Sequence, residues 1–271
     1  MEWIEKRIRE KRLFLLDIDG TVSLDAEWIE GAVPFFEEVE KIGGKCVFIT
    51  NNSTRSIAAY VKKFEQMGRK VHADNFLTAS YVTASYLKEQ YGAEKLFVAG
   101  TRSFCEELKA SGLNITGEVQ PDVFAVVVGF DNELTYEKVE KACQLLQTQN
   151  VDFVATNPDL VCPVSYGFVP DCGAICQMIS QAVKREPVFI GKPNPRMVEL
   201  AMKQNGVSPS ETVVLGDRLY TDIACGRNAG VETVVVFTGE AKKEDLNHTE
   251  YVPTWYCDSI KDVYLAMGGM E

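Results

Sequence analysis

The chain has 271 residues, a formal net charge of −11, 46% hydrophobic residues and 25% charged residues. This length is enough to bury the core of one large α/β domain or of two smaller domains. The acidic charge argues against a nucleic-acid or anionic-membrane partner, because both require a basic surface. The highly charged N-terminus lacks the apolar segment of a secretion signal, and no apolar run reaches the ~20 residues of a membrane helix. We therefore expect a cytoplasmic protein.

The cysteines and histidines do not point to a zinc site or to a nucleophilic triad. The eight cysteines contain no CxxC pair, so we expect reduced thiols. Cys172 and Cys176 are one helical turn apart, but no second pair or neighbouring histidine would complete a zinc site. The only histidines, His72 and His248, lack the serine or cysteine context of a triad hydrolase.

The most informative stretch is the short apolar run Leu13–Leu16 with the polar residues that follow it. Four apolar residues before a glycine break predict a buried strand. Asp17 and Asp19 come directly after this strand and precede Gly20 and Thr21. Two carboxylates so close together need a cation or a shared proton. The carboxyl edge of a parallel sheet is where open α/β folds bind their ligands.

Alternating strands and helices predict an α/β fold with a parallel sheet and crossover helices. In chain order, the further predicted strands are Lys45–Thr50, Lys95–Val98, Val123–Val128, Asp152–Ala155, Val188–Ile190, Thr212–Leu215 and Val231–Phe237. The predicted helices are Gly31–Ile42, Ser56–Met67, Ala79–Gln90, Ser103–Ala110, Tyr136–Gln147, Gly173–Val183 and 195–205, with Thr135 as a helix N-cap. The segments 23–31 and 157–173 are predicted to be loops, and the tail predicts a last short strand and helix.

Four polar clusters follow predicted strands or short apolar runs. They are Asp17 with Asp19, the Thr50-Asn51-Asn52 group, Lys192, and Asp217 with Asp222. Each cluster alone is also compatible with turn chemistry or a solvated loop. Together, at one sheet edge, they predict a phosphoryl site: carboxylates for Mg²⁺, with a lysine and hydroxyl and amide groups for phosphate oxygens. Asp17 is a candidate nucleophile, since carboxylates form phosphoryl-enzyme intermediates.

These motifs resemble those of a known family. The sequences DIDGT at Asp17–Thr21, ITNN at Ile49–Asn52, GKPNP at Gly191–Pro195 and GDRLYTDI at Gly216–Ile223 are similar to the four motifs of haloacid dehalogenase-like (HAD) phosphatases. The long insertion between the second and third motifs resembles the NagD-like and 4-nitrophenyl phosphatase branch. The resemblance implies a Rossmann-like core of residues 1–79 and 186–271, with an α/β cap domain of residues 80–185.

The resemblance also implies individual roles for the site residues. Asp17 would attack phosphorus, and Asp19 would protonate the leaving alcohol and later activate water. Thr50, Asn51, Asn52 and Lys192 would bind the phosphoryl group. The implied Mg²⁺ ligands are Asp17, the main-chain carbonyl of Asp19, Asp217 and Asp222.

The resulting prediction is a Mg²⁺-dependent phosphomonoesterase that acts through an aspartyl-phosphate. Its expected partner is a small phosphorylated metabolite: a sugar phosphate, a nucleoside monophosphate, phosphoglycolate or pyridoxal phosphate. A homodimer is compatible with the cap surfaces. The alternatives are a receiver-like protein and a family member that binds phosphorylated ligands without turnover. The 157–173 segment is the predicted substrate loop, and Asp171, if it faced the cavity, would disfavour a second anionic group on the substrate.

Overall fold

A computed structural model describes residues 6–164 and 166–270. The chain forms two compact units. The first unit comprises Met1–Thr50, Tyr60–Leu77 and Lys192–Glu271, and the second comprises Asn51–Ala59 and Thr78–Gly191. The assignment of a core and a cap to residues 1–79, 80–185 and 186–271 stays a prediction. None of the helices among the described residues is long and apolar enough to cross a membrane.

The strands are numbered in chain order. They are β1 (Leu13–Leu16), β2 (Ser23–Leu24), β3 (Glu27–Trp28), β4 (Lys45–Thr50), β5 (Phe76–Thr78), β6 (Lys95–Ala99), β7 (Asn114–Thr116), β8 (Val123–Val128), β9 (Asp152–Ala155), β10 (Val161–Val164), β11 (Gly167–Pro170), β12 (Val188–Phe189), β13 (Thr212–Gly216), β14 (Glu232–Val236) and β15 (Trp255–Cys257). The helices that follow them are α1 (Ala32–Lys41), α2 (Ile57–Gln66), α3 (Ala79–Tyr91), α4 (Arg102–Ala110), α5 (Tyr136–Thr148), α6 (Cys172–Val183), α7 (Arg196–Asn205), α8 (Ala224–Asn228) and α9 (Ile260–Ala266).

A six-stranded sheet forms the centre of the first unit. Its strand order is β15-β14-β13-β1-β4-β5, and β1 pairs in parallel with both β13 and β4. All four residues of β1 are buried, as expected for a central strand covered on both faces. Phe48, on β4, makes edge-to-face contacts with Phe36 and Phe64 at centroid distances of 5.5 and 4.7 Å. Such aromatic pairs add stability beyond the apolar area that they bury.

A five-stranded sheet forms the centre of the second unit. Its order is β12-β9-β8-β6-β7, and all of its pairs are parallel. Three helices of the chain begin after a threonine whose hydroxyl accepts a backbone N–H three residues on: Thr78, Thr101 and Thr135. Such a bond satisfies a donor that the first helical turn leaves unpaired. The prediction of Thr135 as an N-cap is confirmed.

The predicted α/β class with parallel sheets is confirmed, and the long predicted elements agree with the structure within one or two residues. Two predicted loops are wrong in part. Segment 157–173 contains the antiparallel hairpin β10–β11, and segment 23–31 contains the hairpin β2–β3. Strands β5 and β7 were also missed. These strands have two to four residues, too few for the alternation of apolar and polar residues that signals a half-exposed strand.

Candidate active site

Three neighbouring strands bring predicted site residues to one edge of the first sheet. Asp17 follows β1, Thr50 is the last residue of β4, and Asp217 follows β13. Because β1 lies between β4 and β13 and runs parallel to both, the carboxyl ends of the three strands are adjacent. The position of the two polar clusters beside Asp17 therefore follows from strand order and not from proximity along the chain.

A fourth segment completes a cluster of carboxylates. Asp222 lies in the π-helical turn Leu219–Ile223, and its Oδ2 accepts a hydrogen bond from the backbone N–H of Arg218 at 3.1 Å. One oxygen each from Asp17, Asp217 and Asp222 lies within 4.8 Å of the others. Asp217 and Asp222 are buried, with exposed fractions of 3% and 0%.

Lys192 is the cation of this cluster. Its Nζ lies 2.5 Å from Oδ1 of Asp17 and 2.6 Å from Oδ1 of Asp222. It also donates to the backbone carbonyl of Ile49, in the strand that ends at Thr50, at 3.3 Å. Only 3% of the Lys192 side chain is exposed. Lys192 therefore contacts Asp17, which is the candidate nucleophile, Asp222, and the strand that ends at Thr50.

One lysine does not neutralise three carboxylates, and their pKa values reflect this. Burial raises the pKa of Asp17 well above its ordinary value, although the Lys192 ammonium lowers it. Burial, and then the charge of Asp222, raises the pKa of Asp217 to about 6. Burial lowers the pKa of Lys192, but the charges of Asp17 and Asp222 outweigh this effect, so its pKa lies above the ordinary value. The site therefore favours additional positive charge.

Asp217 is held by Thr21, the last residue of the first motif, and by a loop that no motif includes. The Thr21 hydroxyl donates to its Oδ1 at 3.3 Å, and the backbone N–H of Glu240 donates to its Oδ2 at 2.8 Å. Gly239 lies against the same carboxylate, where a Cβ would overlap the Asp217 side chain. The only sequence signal for this loop was its place directly after β14, at the same edge of the sheet.

Asp19 lies outside the carboxylate cluster. Its side chain is 53% exposed, and its Oδ1 lies 3.3 Å from Nζ of Lys63, on α2. The side chain of Asp19 therefore contacts Lys63 and is not one of the three clustered carboxylates; its role in proton transfer stays a prediction. Lys63 was not predicted, because a lysine on a solvent-facing helix has no distinguishing signal in a single sequence.

Thr50, Asn51 and Asn52 are divided between the two units. Thr50 is 5% exposed and belongs to the first unit, whereas Asn51 and Asn52 belong to the second. The Asn51 side-chain amide donates to Oδ2 of Asp159 at 2.6 Å. Oδ1 of Asn52 accepts from the backbone N–H of Thr54 at 2.9 Å. Phosphate binding by these two asparagines stays a prediction.

Asp171, the acid that was considered as facing the cavity, is a helix N-cap in the structure, and its effect on substrate choice stays a prediction. Asp171 is 6% exposed and is the N-cap of α6: its Oδ1 accepts from the backbone N–H of Cys172 at 2.5 Å. The same oxygen accepts from Nδ2 of Asn157 at 3.2 Å. A carboxylate committed to these donors explains why an acid can be buried at this position.

All eight cysteines are free thiols, as predicted.

The donor set of the carboxylate cluster fits a hard divalent cation. All candidate side-chain ligands are carboxylate oxygens, which Mg²⁺ prefers, and a set of two or three leaves room for water. With Lys192 counted, the three acids carry a formal excess of two negative charges, equal to the charge of one such ion. The pKa of Asp217 is raised first by burial and then by the charge of Asp222, which is part of this excess.

Two family models match separate parts of the chain. A model described as haloacid dehalogenase-like hydrolase matches residues 14–114, and one described as HAD-hydrolase-like matches residues 189–263. An acid sugar phosphatase of Staphylococcus epidermidis is 32% identical over 264 residues, which cover 97% of this chain and 100% of that protein.

Solved structures extend the same likeness to the whole fold. The chain matches a 4-nitrophenylphosphatase of Thermotoga maritima with a TM-score of 0.91 and 36% identity, covering 96% of this chain and 99% of that one. It matches NagD of Escherichia coli K-12 with a TM-score of 0.85 and 31% identity, covering 93% and 98% of the two chains. The resemblance drawn from the four motifs is confirmed.

Proposed function

The chain belongs to the haloacid dehalogenase-like hydrolases and is a phosphatase, and we propose that it is a Mg²⁺-dependent phosphomonoesterase acting through an aspartyl-phosphate. The observation that carries this proposal is the ion pair between Lys192 and Asp17, 2.5 Å long, within a cluster of three carboxylates. A nucleophilic carboxylate needs a neighbouring cation to approach an anionic phosphoryl group, and Lys192 supplies that charge.

In the proposed mechanism, two aspartates have separate roles. The Asp17 carboxylate attacks phosphorus and forms the acyl-phosphate bond, while the bond from phosphorus to the alcohol oxygen breaks. Asp19 donates its proton to that oxygen as the alcohol leaves, and then accepts a proton from the water that hydrolyses the intermediate. The 53% exposure of the Asp19 side chain supports a role in proton exchange.

Four further side chains would bind the phosphoryl group. Lys192 would pair with a phosphoryl oxygen as well as with Asp17, and the Thr50 hydroxyl would donate to another. Asn52 would contribute its side-chain amide. Asn51, which is predicted to bind the same group, also donates one N–H of its side-chain amide to Asp159 at 2.6 Å.

Mg²⁺ would be held by the carboxylates of Asp17, Asp217 and Asp222 and the main-chain carbonyl of Asp19. When bound, the ion would offset negative charge on the phosphoryl oxygens and on the nucleophile. The Thr21 hydroxyl and the backbone N–H of Glu240 would hold the Asp217 carboxylate in place for this role.

We propose a small phosphorylated metabolite as substrate, with sugar phosphates as the first candidate. The Staphylococcus epidermidis relative named acid sugar phosphatase supports this choice, at 32% identity over its full length. Nucleoside monophosphates, phosphoglycolate and pyridoxal phosphate are the next candidates. With a net charge of −11, a nucleic-acid or membrane partner is disfavoured. A cytoplasmic location and a homodimer belong to the same proposal.

The test is a phosphate-release assay with these substrate classes and 4-nitrophenyl phosphate, with Mg²⁺ and with EDTA. We expect turnover that EDTA abolishes and that added Mg²⁺ restores. The control variant is Asp17→Asn, which keeps the shape of the side chain but removes the nucleophilic charge. We expect a loss of about 10⁴-fold or more in kcat. Full activity of Asp17→Asn, or turnover unaffected by EDTA, would contradict the proposal.

A further inference from the structure

The residues that follow β9 form a buried polar turn in the second unit, which we name the 156–159 turn (Thr156, Asn157, Pro158 and Asp159). Asp159 is 7% exposed, and its Oδ2 accepts two amide hydrogen bonds, from Asn51 at 2.6 Å and from Asn157 at 2.8 Å. Oδ1 of Asn157 accepts in turn from the Thr156 hydroxyl at 2.8 Å. A buried carboxylate with two amide donors fixes the orientation of both amides, because losing either bond would leave buried polar atoms unsatisfied.

The same turn holds two other parts of the second unit. The Thr156 hydroxyl lies 3.4 Å from the hydroxyl of Ser53, which also accepts from the backbone N–H of Phe130 at 3.1 Å. The backbone carbonyl of Thr156 accepts from the backbone N–H of Gly191 at 2.7 Å. The turn therefore anchors both segment 51–53 and the residue at which β12 leads out of the second unit.

Gly191 is packed so closely that no side chain fits. A Cβ there would lie 2.6 Å from Oδ1 of Asn51 and 2.6 Å from the backbone carbonyl of Thr156. Real Cβ atoms essentially never come so near to another heavy atom, and one of the two neighbours is backbone, which cannot swing away. The absence of a side chain at residue 191 thus allows Asn51 and the turn to approach the same point of the chain.

The positions of Asn51 and Gly191 in the sequence give these contacts a consequence for catalysis. Asn51 directly follows Thr50, and Gly191 directly precedes Lys192. These two peptide bonds are two of the four places where the chain passes from one unit to the other. A displacement of Asn51 or Gly191 is therefore transmitted through one planar peptide unit to a phosphate-binding residue.

We propose that the 156–159 turn positions Thr50 and Lys192, through Asn51 and Gly191, and that Asn157 and Asp159 are positioning residues of the phosphatase. The inference rests on the proposed function, in which Thr50 and Lys192 bind the phosphoryl group. A displacement of about 1 Å at such residues is enough to reduce the rate by up to 10²-fold. The Asn51 side chain then has a positioning role through its bond to Asp159.

The first test compares two buried aspartates of the second unit. Asp159→Asn removes the negative charge that strengthens both amide bonds and replaces one of the two carboxylate oxygens with an NH₂ donor. The matched control is Asp131→Asn: Asp131 is 4% exposed and pairs with Lys138 at 2.7 Å and with the backbone N–H of Glu133 at 2.9 Å, and neither partner belongs to the 156–159 turn. Steady-state kinetics with 4-nitrophenyl phosphate, inhibition by inorganic phosphate and thermal unfolding are measured for both variants.

We expect Asp159→Asn to lower kcat/KM by 10- to 100-fold and to weaken inhibition by phosphate, because both depend on the placement of Thr50 and Lys192. Asp131→Asn should retain kcat/KM within about threefold, even if its melting temperature falls as far as that of Asp159→Asn. If both variants lose activity only in proportion to stability, the turn is merely structural and the proposal is overturned.

The second test asks whether Asp159 acts through Asn51. In a double-mutant cycle with Asn51→Ala, the Asp159→Asn change should cost clearly less than it does in the wild type, since one of its two amide partners is already gone. An undiminished 10- to 100-fold effect in that background would overturn the proposal. Gly191→Ala should lower kcat/KM by a similar factor, whereas Gly117→Ala, in the same unit with no heavy atom near the added Cβ, should change it less than twofold.

These outcomes separate the inference from the function on which it rests. An active wild type, an inactive Asp17→Asn variant and an Asp159→Asn variant that behaves like its control would leave the phosphatase mechanism intact and remove only the positioning role. A wild type whose turnover does not depend on Asp17 would remove the proposed function itself.

Discussion

The two parallel sheets of this chain are built alike, but the residues beyond their carboxyl ends differ in charge. In the first unit, the carboxylates of Asp17, Asp217 and Asp222 lie together, and Lys192 pairs with Asp17 and with Asp222. In the second unit, the turn after β9 contains one buried carboxylate, Asp159, and surrounds it with amide donors. The first arrangement has an excess of negative charge. In the second, the charge of one carboxylate is stabilised by hydrogen bonds from uncharged amide groups.

This difference separates a site for chemistry from a scaffold. A buried cluster with unbalanced charge costs stability unless a cation joins it, so its retention calls for a functional reason. A buried network in which the donors and acceptors match costs little and fixes geometry instead. We therefore assign the reaction to the first sheet edge and positioning to the second.

The largest expected effect follows from removing the cation of the first unit. Lys192→Met should lower kcat/KM by 10²-fold or more, because both Asp17 and the phosphoryl group lose their partner. It should also destabilise the protein in EDTA by about 3–5 kcal/mol, since Asp17 and the buried Asp222 would lose their ammonium partner. The measurements are steady-state kinetics and urea unfolding at pH 7, and added Mg²⁺ should recover part of the lost stability.

Lys95→Met is the control for this prediction. Lys95 pairs at 2.6 Å with Asp122, whose side chain is 59% exposed. Removing an exposed pair should change the free energy of unfolding by less than about 1 kcal/mol. Equal destabilisation by the two substitutions would show that the charge excess in the first unit has no special cost.

The same contrast explains what could be predicted from the sequence. Asp17 and Asp217 follow apolar strands, and strand order at a parallel sheet edge is enough to bring them together. The 156–159 turn carries no such signal. Asn51 and Asp159 are 108 residues apart, and their bond depends on loop conformations that no periodicity encodes. Lys63 and Gly239 were missed for the same reason, and so was the bond from Thr21 to Asp217.

The charge excess of the first unit should make the stability of the protein depend on pH. The pKa of Asp217 is raised from 3.8 to about 6, mainly by burial. A carboxyl group whose pKa is higher in the folded state contributes stability that is present below about pH 4 and is lost as the pH rises through about 6. In EDTA, the stability of the wild type relative to Asp217→Asn should therefore fall by about 2 kcal/mol between pH 4.5 and pH 7.

Mg²⁺ should reverse this trend in the wild type. At pH 7 the ionised carboxylates bind the cation, so added Mg²⁺ should raise the free energy of unfolding of the wild type more than that of Asp217→Asn. Chemical unfolding at the two pH values, with EDTA and with Mg²⁺, measures all four differences. A stability difference that is independent of both pH and Mg²⁺ would remove Asp217 from the metal site.

The smallest effect is expected from a single acid of the second unit. Burial raises the pKa of Glu107, on α4, from 4.5 to about 7. Its stabilising contribution is likewise present below about pH 4.5 and is lost as the pH rises through about 7. Glu107→Gln should therefore be more stable than the wild type at pH 8 by about 1 kcal/mol, with no gain at pH 4.5.

Two controls separate this effect from the metal site. Glu106→Gln, on the exposed face of the same helix, should leave the free energy of unfolding within about 0.5 kcal/mol at both pH values. Mg²⁺ should not alter the gain from Glu107→Gln, because Glu107 is not among the three clustered carboxylates of the first unit. A gain that Mg²⁺ abolished would mean that the two sheets share one electrostatic system, and the division between a charged site and a neutral scaffold would fail.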